Sequence, residues 1–331
     1  MSKKDILYPN NKNGIYLYEY PMINGVKQYI QVRGADKSNP LILFIHGGPG
    51  GAVSGVTHIL HEGWEDKYTV VNWDQRNAGN TYVANKGKAE DIAKTGTMED
   101  FVSDVDDIIK YLHTVYEFDK IILMGFSWGS AISLEYAKAH PENVKCVANV
   151  GQLFNYREGI LCTCHKLLKI IPEGTKDYDR IKMIIKKFPE KPVWNKELMY
   201  IMRYFNFIAY KNYGKYMRRT PLLKRLNSPF MNREARKISN RPKAQYLEKS
   251  YETMVNYDFR ETMSFQVPVY FIFGEDDIVC PSDILSECFD GVEAPVKELH
   301  VIEKAGHCCF YDNPESFNKI LNSIIYGEYK N

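Results

Sequence analysis

Two rhythms of apolar positions divide the chain. Short apolar runs bounded by Gly, Pro, Asn or Asp predict strands at Leu41–Ile45, 68–73, 121–124, Val144–Val150, 267–273 and 296–302. Ahead of them, 14–20 and 26–33 read as two strands joined by Asn24-Gly25, a strong hairpin signal. Between these runs the spacing becomes helical. Phe101, Val105, Ile108, Ile109 and Leu112 recur on one face, behind Thr97 as N-cap and the early acids Glu99 and Asp100. A small-residue helix follows residue 127, and the last helix is expected over 314–326 with Pro314 at its start.

Strand and helix alternate as far as Val150, which predicts an α/β fold with a mostly parallel sheet covered by helices. The alternation then stops. Helical patterns at 181–185, 199–209 and 244–255 fill the gap until strands resume near 267. Residues 1–151 and 263–331 are therefore read as one core domain, and 152–262 as an inserted helical cap.

Charge supports that division. The 331-residue chain has a net charge of +2, yet 152–261 holds 24 of its 43 Lys and Arg against 11 of its 41 Asp and Glu. With 44% hydrophobic and 25% charged residues, the composition is that of a soluble globular protein. No run reaches the roughly 18 apolar residues of a membrane span, and no export signal opens the chain. Seven irregularly spaced cysteines then read as reduced thiols in a cytoplasmic protein. Cys162-Thr163-Cys164-His165 lacks a second ligand pair, so neither metal nor other cofactor is expected. No nucleic-acid motif accompanies the basic stretch, which reads as a solvated face. The expected partner is a small molecule or short peptide, with neither nucleic acid nor membrane, and no motif bears on oligomeric state.

The chemistry centres on Gly125-Phe126-Ser127-Trp128-Gly129, a G-x-S-x-G turn between a short strand and a small-residue helix. That context is the nucleophile elbow, which lifts a serine hydroxyl above the sheet. Serine needs a base, and the base an orienting acid, in the chain order Ser, acid, His. Both partners stand after late strands. Gly274-Glu275-Asp276-Asp277 offers two acids, of which the Gly-x-x-Asp spacing favours Asp277, with Asp276 as the alternative. His307 follows the loop after the 296–302 run. The oxyanion donors are expected at the N–H of Trp128 and of Gly48, within His46-Gly47-Gly48-Pro49-Gly50-Gly51. His46 is expected to brace that turn.

His46-Gly47-Gly48-Pro49-Gly50, Trp73-Asp74-Gln75-Arg76 through Gly79, and Gly125 to Ser130 together resemble the proline iminopeptidase family of α/β-hydrolases. The resemblance spans about 14–151 and resumes from 265. It implies release of an amino-terminal residue by acyl transfer to serine, with the triad on Ser127, Asp277 and His307 and the oxyanion donors on Gly48 and Trp128. Asp74 and Arg76 are expected to form a structural ion pair. Phe126 departs from the family, where Gly or His is common, and is expected to alter the wall beside the nucleophile. Asn77, Asn80 and Thr81 replace parts of the usual Gly-x-Gly-x-Ser run. Cap acids of the family hold the substrate ammonium. Here Glu158 is the first candidate, with Glu252 and Asp258 as alternatives. Three readings follow: an aminopeptidase, a hydrolase of small esters, lactones or amides, and a non-catalytic ligand-binding protein on the same fold.

Overall fold

The computed structural model describes residues 9, 11–217, 230, 244–261 and 263–327. Outside the described residues lie the chain start read for an export signal, the 262 cap boundary, and nine of the cap's Lys and Arg between 218 and 243.

Among the described residues ten strands form: β1 (Ile15–Glu19), β2 (Met22–Ile23), β3 (Val26–Lys27), β4 (Tyr29–Gly34), β5 (Leu41–Ile45), β6 (Thr69–Asp74), β7 (Ile121–Gly125), β8 (Val144–Val150), β9 (Val269–Gly274) and β10 (Lys297–Ile302). Eight make one sheet in the order β1-β4-β6-β5-β7-β8-β9-β10. The pairs β1–β4 and β4–β6 are antiparallel, and every pair from β6 to β10 is parallel. Asn24 and Gly25 take φ of 45° and 75°, the positive values a tight hairpin turn requires. The predicted hairpin is broken in two: its tip is the β2–β3 ribbon, while β1 pairs with β4.

The apolar strands are buried on both faces because each feeds two cores. In β5, Leu41, Leu43 and Ile45 join one cluster, with Phe101, Val105 and Ile108 of helix Met98–Val115 and Ala131 and Leu134 of helix Trp128–Ala139. Ile42 and Phe44 point the other way, into a second cluster with Trp64, Phe310 and Phe317. The predicted cap of the first helix is present as a full capping box, with Thr97 and Asp100 bonding each other's backbone N–H. The last helix, Pro314–Tyr326, starts behind Asn313 as cap.

Between β8 and β9 lie helices Tyr156–Ile170, Lys176–Lys187, Lys196–Met217 and Glu248–Asn256, the last preceded by a 3-10 turn at Ala244–Leu247. Three were legible as helical patterns. Tyr156–Ile170 was not, because Gly159 and the Cys-Thr-Cys run blur its apolar face. Its signal is the cap: the Asn155 side chain accepts the Glu158 N–H. The insertion is seated on the core. Leu247 presses on Gly50, Thr253 Oγ1 donates to the Gly96 carbonyl at 2.8 Å, and Asn77 Nδ2 donates to the Tyr246 carbonyl at 2.9 Å.

Candidate active site

Strand β7 delivers the chain into a turn that only a narrow set of residues permits. Ser127 stands at φ 54° and ψ −122°, a conformation that L side chains avoid unless their surroundings impose it. Two backbone bonds impose it here: Phe126 N–H to the Ile45 carbonyl and Ser127 N–H to the Val150 carbonyl, each 2.9 Å. Helix Trp128–Ala139 starts at once and passes so close to β5 that a Cβ on Gly129 would lie 1.9 Å from the Ile45 carbonyl oxygen. Asn149, the one polar side chain among the buried residues of β8, fastens the turn from below. Its Oδ1 accepts from Gly125 N–H at 3.0 Å and Ser133 Oγ at 2.7 Å, and its Nδ2 donates to the Ser130 carbonyl and to Gln152 Oε1. The sequence reading missed Asn149. Its signal was a lone amide among the apolar residues 146–150.

Asp277 and His307 arrive on the loops after β9 and β10. Asp277 Oδ2 lies 2.8 Å from His307 Nδ1, with both side chains buried. Its other oxygen accepts the N–H groups of Val279 at 2.8 Å and Cys280 at 2.9 Å. The carboxylate is thus fixed from three directions, which orients the imidazole. Of the two acids considered, Asp277 meets the histidine; Asp276 is half-exposed, and its N–H bonds the Ala305 carbonyl. The end of β8 brings serine and histidine together. Val150 takes the Ser127 N–H, and a Cβ on the next residue, Gly151, would lie 3.0 Å from the His307 ring.

Cys280 completes this corner. Burial and then the Asp277 charge push its thiol well above its usual range, so it stays neutral. Among the described residues Ser127 makes no hydrogen bond to His307. Such contacts are commonly long until substrate is bound.

The glycine turn abuts the serine, since a Cβ on Gly47 would lie 2.8 Å from Ser127 Cβ. His46 braces it, as expected. Gln75 N–H donates to His46 Nε2 at 3.1 Å, so the ring proton sits on Nδ1 and reaches the Gly47 carbonyl at 2.7 Å. The backbone bonds of this region run from Gly51 to Gly47, Gly129 to Phe126 and Ser130 to Ser127, leaving the N–H groups of Gly48 and Trp128 outside them. The expected ion pair between Asp74 and Arg76 is not formed. Arg76 forks onto buried Asp104 at 2.5 and 2.6 Å, while Asp74 accepts Ser54 Oγ and Asn80 N–H. A carboxylate on the neighbouring helix Met98–Val115 offers the fork two oxygens in its own plane.

The acids proposed for the substrate amine are held by neighbouring cations. Glu158 pairs with Arg260 at 2.8 Å, Asp258 with the same guanidinium at 2.5 Å, and Glu252 with Lys249 at 3.3 Å. Glu252 and Asp258 also line a cavity of about 470 Å³, with Glu99, Glu135 and Glu261. Phe126 is 9% exposed and lies against the His307 ring rather than open to a pocket. The seven cysteines are free thiols, and no group of three metal-binding side chains gathers among the described residues. Among them no helix is long and apolar enough to cross a membrane.

The profile of the hydrolase family described as serine aminopeptidase, S33, matches residues 36–314. The chain belongs to the S33 serine aminopeptidase family. It is a hydrolase of the α/β-hydrolase fold, similar to proline iminopeptidases. The Probable aminopeptidase YbaC of Bacillus subtilis is 25% identical over 94% of this chain and 96% of its own. Proline iminopeptidase of Neisseria meningitidis is 30% identical, over 40% of each chain. Among solved structures of this fold, proline iminopeptidase of Mycobacterium smegmatis superposes with a TM-score of 0.63 at 17% identity, covering 95% of this chain and 98% of that one.

Proposed function

We propose that this S33 hydrolase is an aminopeptidase that releases the first residue of short peptides through a Ser127-His307-Asp277 triad. The observation that carries the reading is the 2.8 Å Asp277–His307 pair beside a serine locked in the elbow conformation. In the proposed cycle Ser127 Oγ attacks the scissile carbonyl and its proton passes to His307 Nε2. Asp277 keeps the Nδ1 proton in place and balances the imidazolium. The N–H groups of Gly48 and Trp128 receive the oxyanion. The proton then moves to the departing amine. Water, deprotonated by the same histidine, releases the acyl group and restores the serine.

In this reading residues 152–262 form a lid. The cavity between lid and core, lined by Glu99, Glu135, Glu252, Asp258 and Glu261 with Lys249, would draw a substrate ammonium towards the lid despite the basic net charge, although no triad residue lines it. The helix that supplies Glu252 also rests on the glycine turn, where Tyr251 OH donates to the Pro49 carbonyl at 3.4 Å. One observation favours a second reading, a small ester or amide hydrolase: Arg260 already occupies Glu158 and Asp258. The test is a panel of aminoacyl naphthylamides and p-nitrophenyl esters with Ser127→Ala as control. Turnover of esters alone would replace the first reading with the second.

A further inference from the structure

Phe126 holds a place that the proposed cycle does not yet use. It is the residue between the end of β7 and the nucleophile, and its backbone is fixed on both sides. Its N–H bonds Ile45, its carbonyl accepts Gly129 N–H at 2.8 Å, and it bridges to Val150. Its ring has as little freedom. Phe44 of β5 stacks on it at 6.4 Å and 28°, and Phe310 meets it edge to face at 5.2 Å and 83°. On the remaining side stands the His307 imidazole, with ring centroids 4.7 Å apart and planes tilted by 39°.

A phenyl ring so placed acts on a histidine base in two ways. Its bulk blocks rotation of the imidazole away from Asp277. Its quadrupole attracts a cation that lies over the ring face within about 6 Å of the centroid. The imidazole is neutral before reaction and positive once it holds the serine proton, so this attraction grows along the reaction coordinate. An interaction stronger in the transition state than in the ground state lowers the barrier without tightening substrate binding. Asp277 supports the charge from the Nδ1 edge, and Phe126 would support it from the side.

We propose that Phe126 is a positioning residue for His307, seating the neutral ring and stabilising its protonated form during catalysis. This rests on the reading of His307 as the base. It departs from the expectation that Phe126 walls the substrate pocket. It also places the seat of the base and the nucleophile on adjacent residues, so any shift of the elbow moves both together.

The test replaces Phe126 by 4-fluoro-, 3,4-difluoro- and 3,4,5-trifluorophenylalanine through stop-codon suppression. These rings keep the shape of phenylalanine, and so the fold, while progressively draining the π face. The readouts are kcat and KM on whichever naphthylamide or ester the wild-type enzyme turns over. The expected result is a stepwise fall in kcat, reaching about two- to thirtyfold for the trifluoro ring, with KM within twofold. A flat kcat across the series would overturn the electrostatic role. A rising KM at constant kcat would return Phe126 to the substrate wall. Full activity in the Ser127→Ala control would instead overturn the reading of the site itself, and that outcome does not depend on the fluorinated series.

Discussion

The stretch from β7 to Gly151 and the insertion that follows it are held by different physics. In the first, each residue has one possible place. Gly129 has no room for a side chain, since a Cβ there would lie 1.9 Å from the Ile45 carbonyl oxygen; Ser127 takes a φ of 54°, and Asn149 spends its amide on Gly125, Ser130, Ser133 and Gln152. In the second, helices pack through interchangeable apolar residues such as Ile181, Ile184, Leu198 and Phe205, and their charges settle into pairs such as Lys211–Asp177. Backbone sterics admit few sequences, whereas apolar packing admits many. Under the proposed function, the first region carries the reaction and the second the choice of substrate.

The sharpest way to break this contrast is at the nucleophile. Ser127→Ala should cut turnover by about 10⁴- to 10⁶-fold and abolish fluorophosphonate labelling. A mutant that still labels would move the chemistry out of the elbow region. Next comes the acid. Asp277→Asn should cost roughly 10⁴-fold, because an amide stabilises the wrong tautomer of His307, while Asp276→Asn should cost less than about tenfold. The reverse ranking would show that the 2.8 Å pair is structural only.

The insertion is tested by substrate. Prolyl naphthylamide should be cleaved faster than its N-acetyl form by about several-fold, the worth of roughly 1 kcal/mol for contact with partly exposed acids such as Glu252 and Asp258 that already have cationic partners. Equal rates would mean that the acid-lined cavity does not receive the amine.

The last effect concerns stability and lies in the core beneath the elbow. His61 is buried between Phe44 and Trp64, and both its ring nitrogens lack partners; desolvation lowers its pKa to about 3. The folded state thus resists a proton that the unfolded chain accepts near 6.5. Its contribution is full above that pH and is lost as pH falls towards about 3. At pH 5 the loss is about 2 kcal/mol. His61→Phe should flatten the fall of urea midpoint between pH 7 and 5. An unchanged slope would place acid sensitivity elsewhere, such as in the paired acids of the insertion.

Legibility in the sequence followed the same contrast. The sheet could be read because β5 and β7 are unbroken apolar runs and β8 is mostly apolar, and the elbow because glycine was required at defined offsets from serine. His46 as a brace and Asp277 as the histidine's partner followed from position in the loop. The Arg76 partnership did not, since Asp104 is distant in sequence and reaches it only through the docking of helix Met98–Val115. Nor did the pairing of Glu158 with Arg260, which needs the start of the insertion to meet its end. Phe126 was legible as a departure but not in its orientation, which Phe44 and Phe310 decide.

Asn77 has a consequence for how such a chain can diversify. One side-chain amide donates both to the Ala89 carbonyl of the core and to the Tyr246 carbonyl of the insertion, at 3.0 and 2.9 Å. The insertion is therefore not a freely exchangeable module. A chimera carrying a relative's helices would keep Asn77 and lose its acceptor, leaving a buried donor unsatisfied, unless the graft set a carbonyl in the same spot. Recombination across this junction thus carries a penalty that point changes at exposed positions along the helices do not.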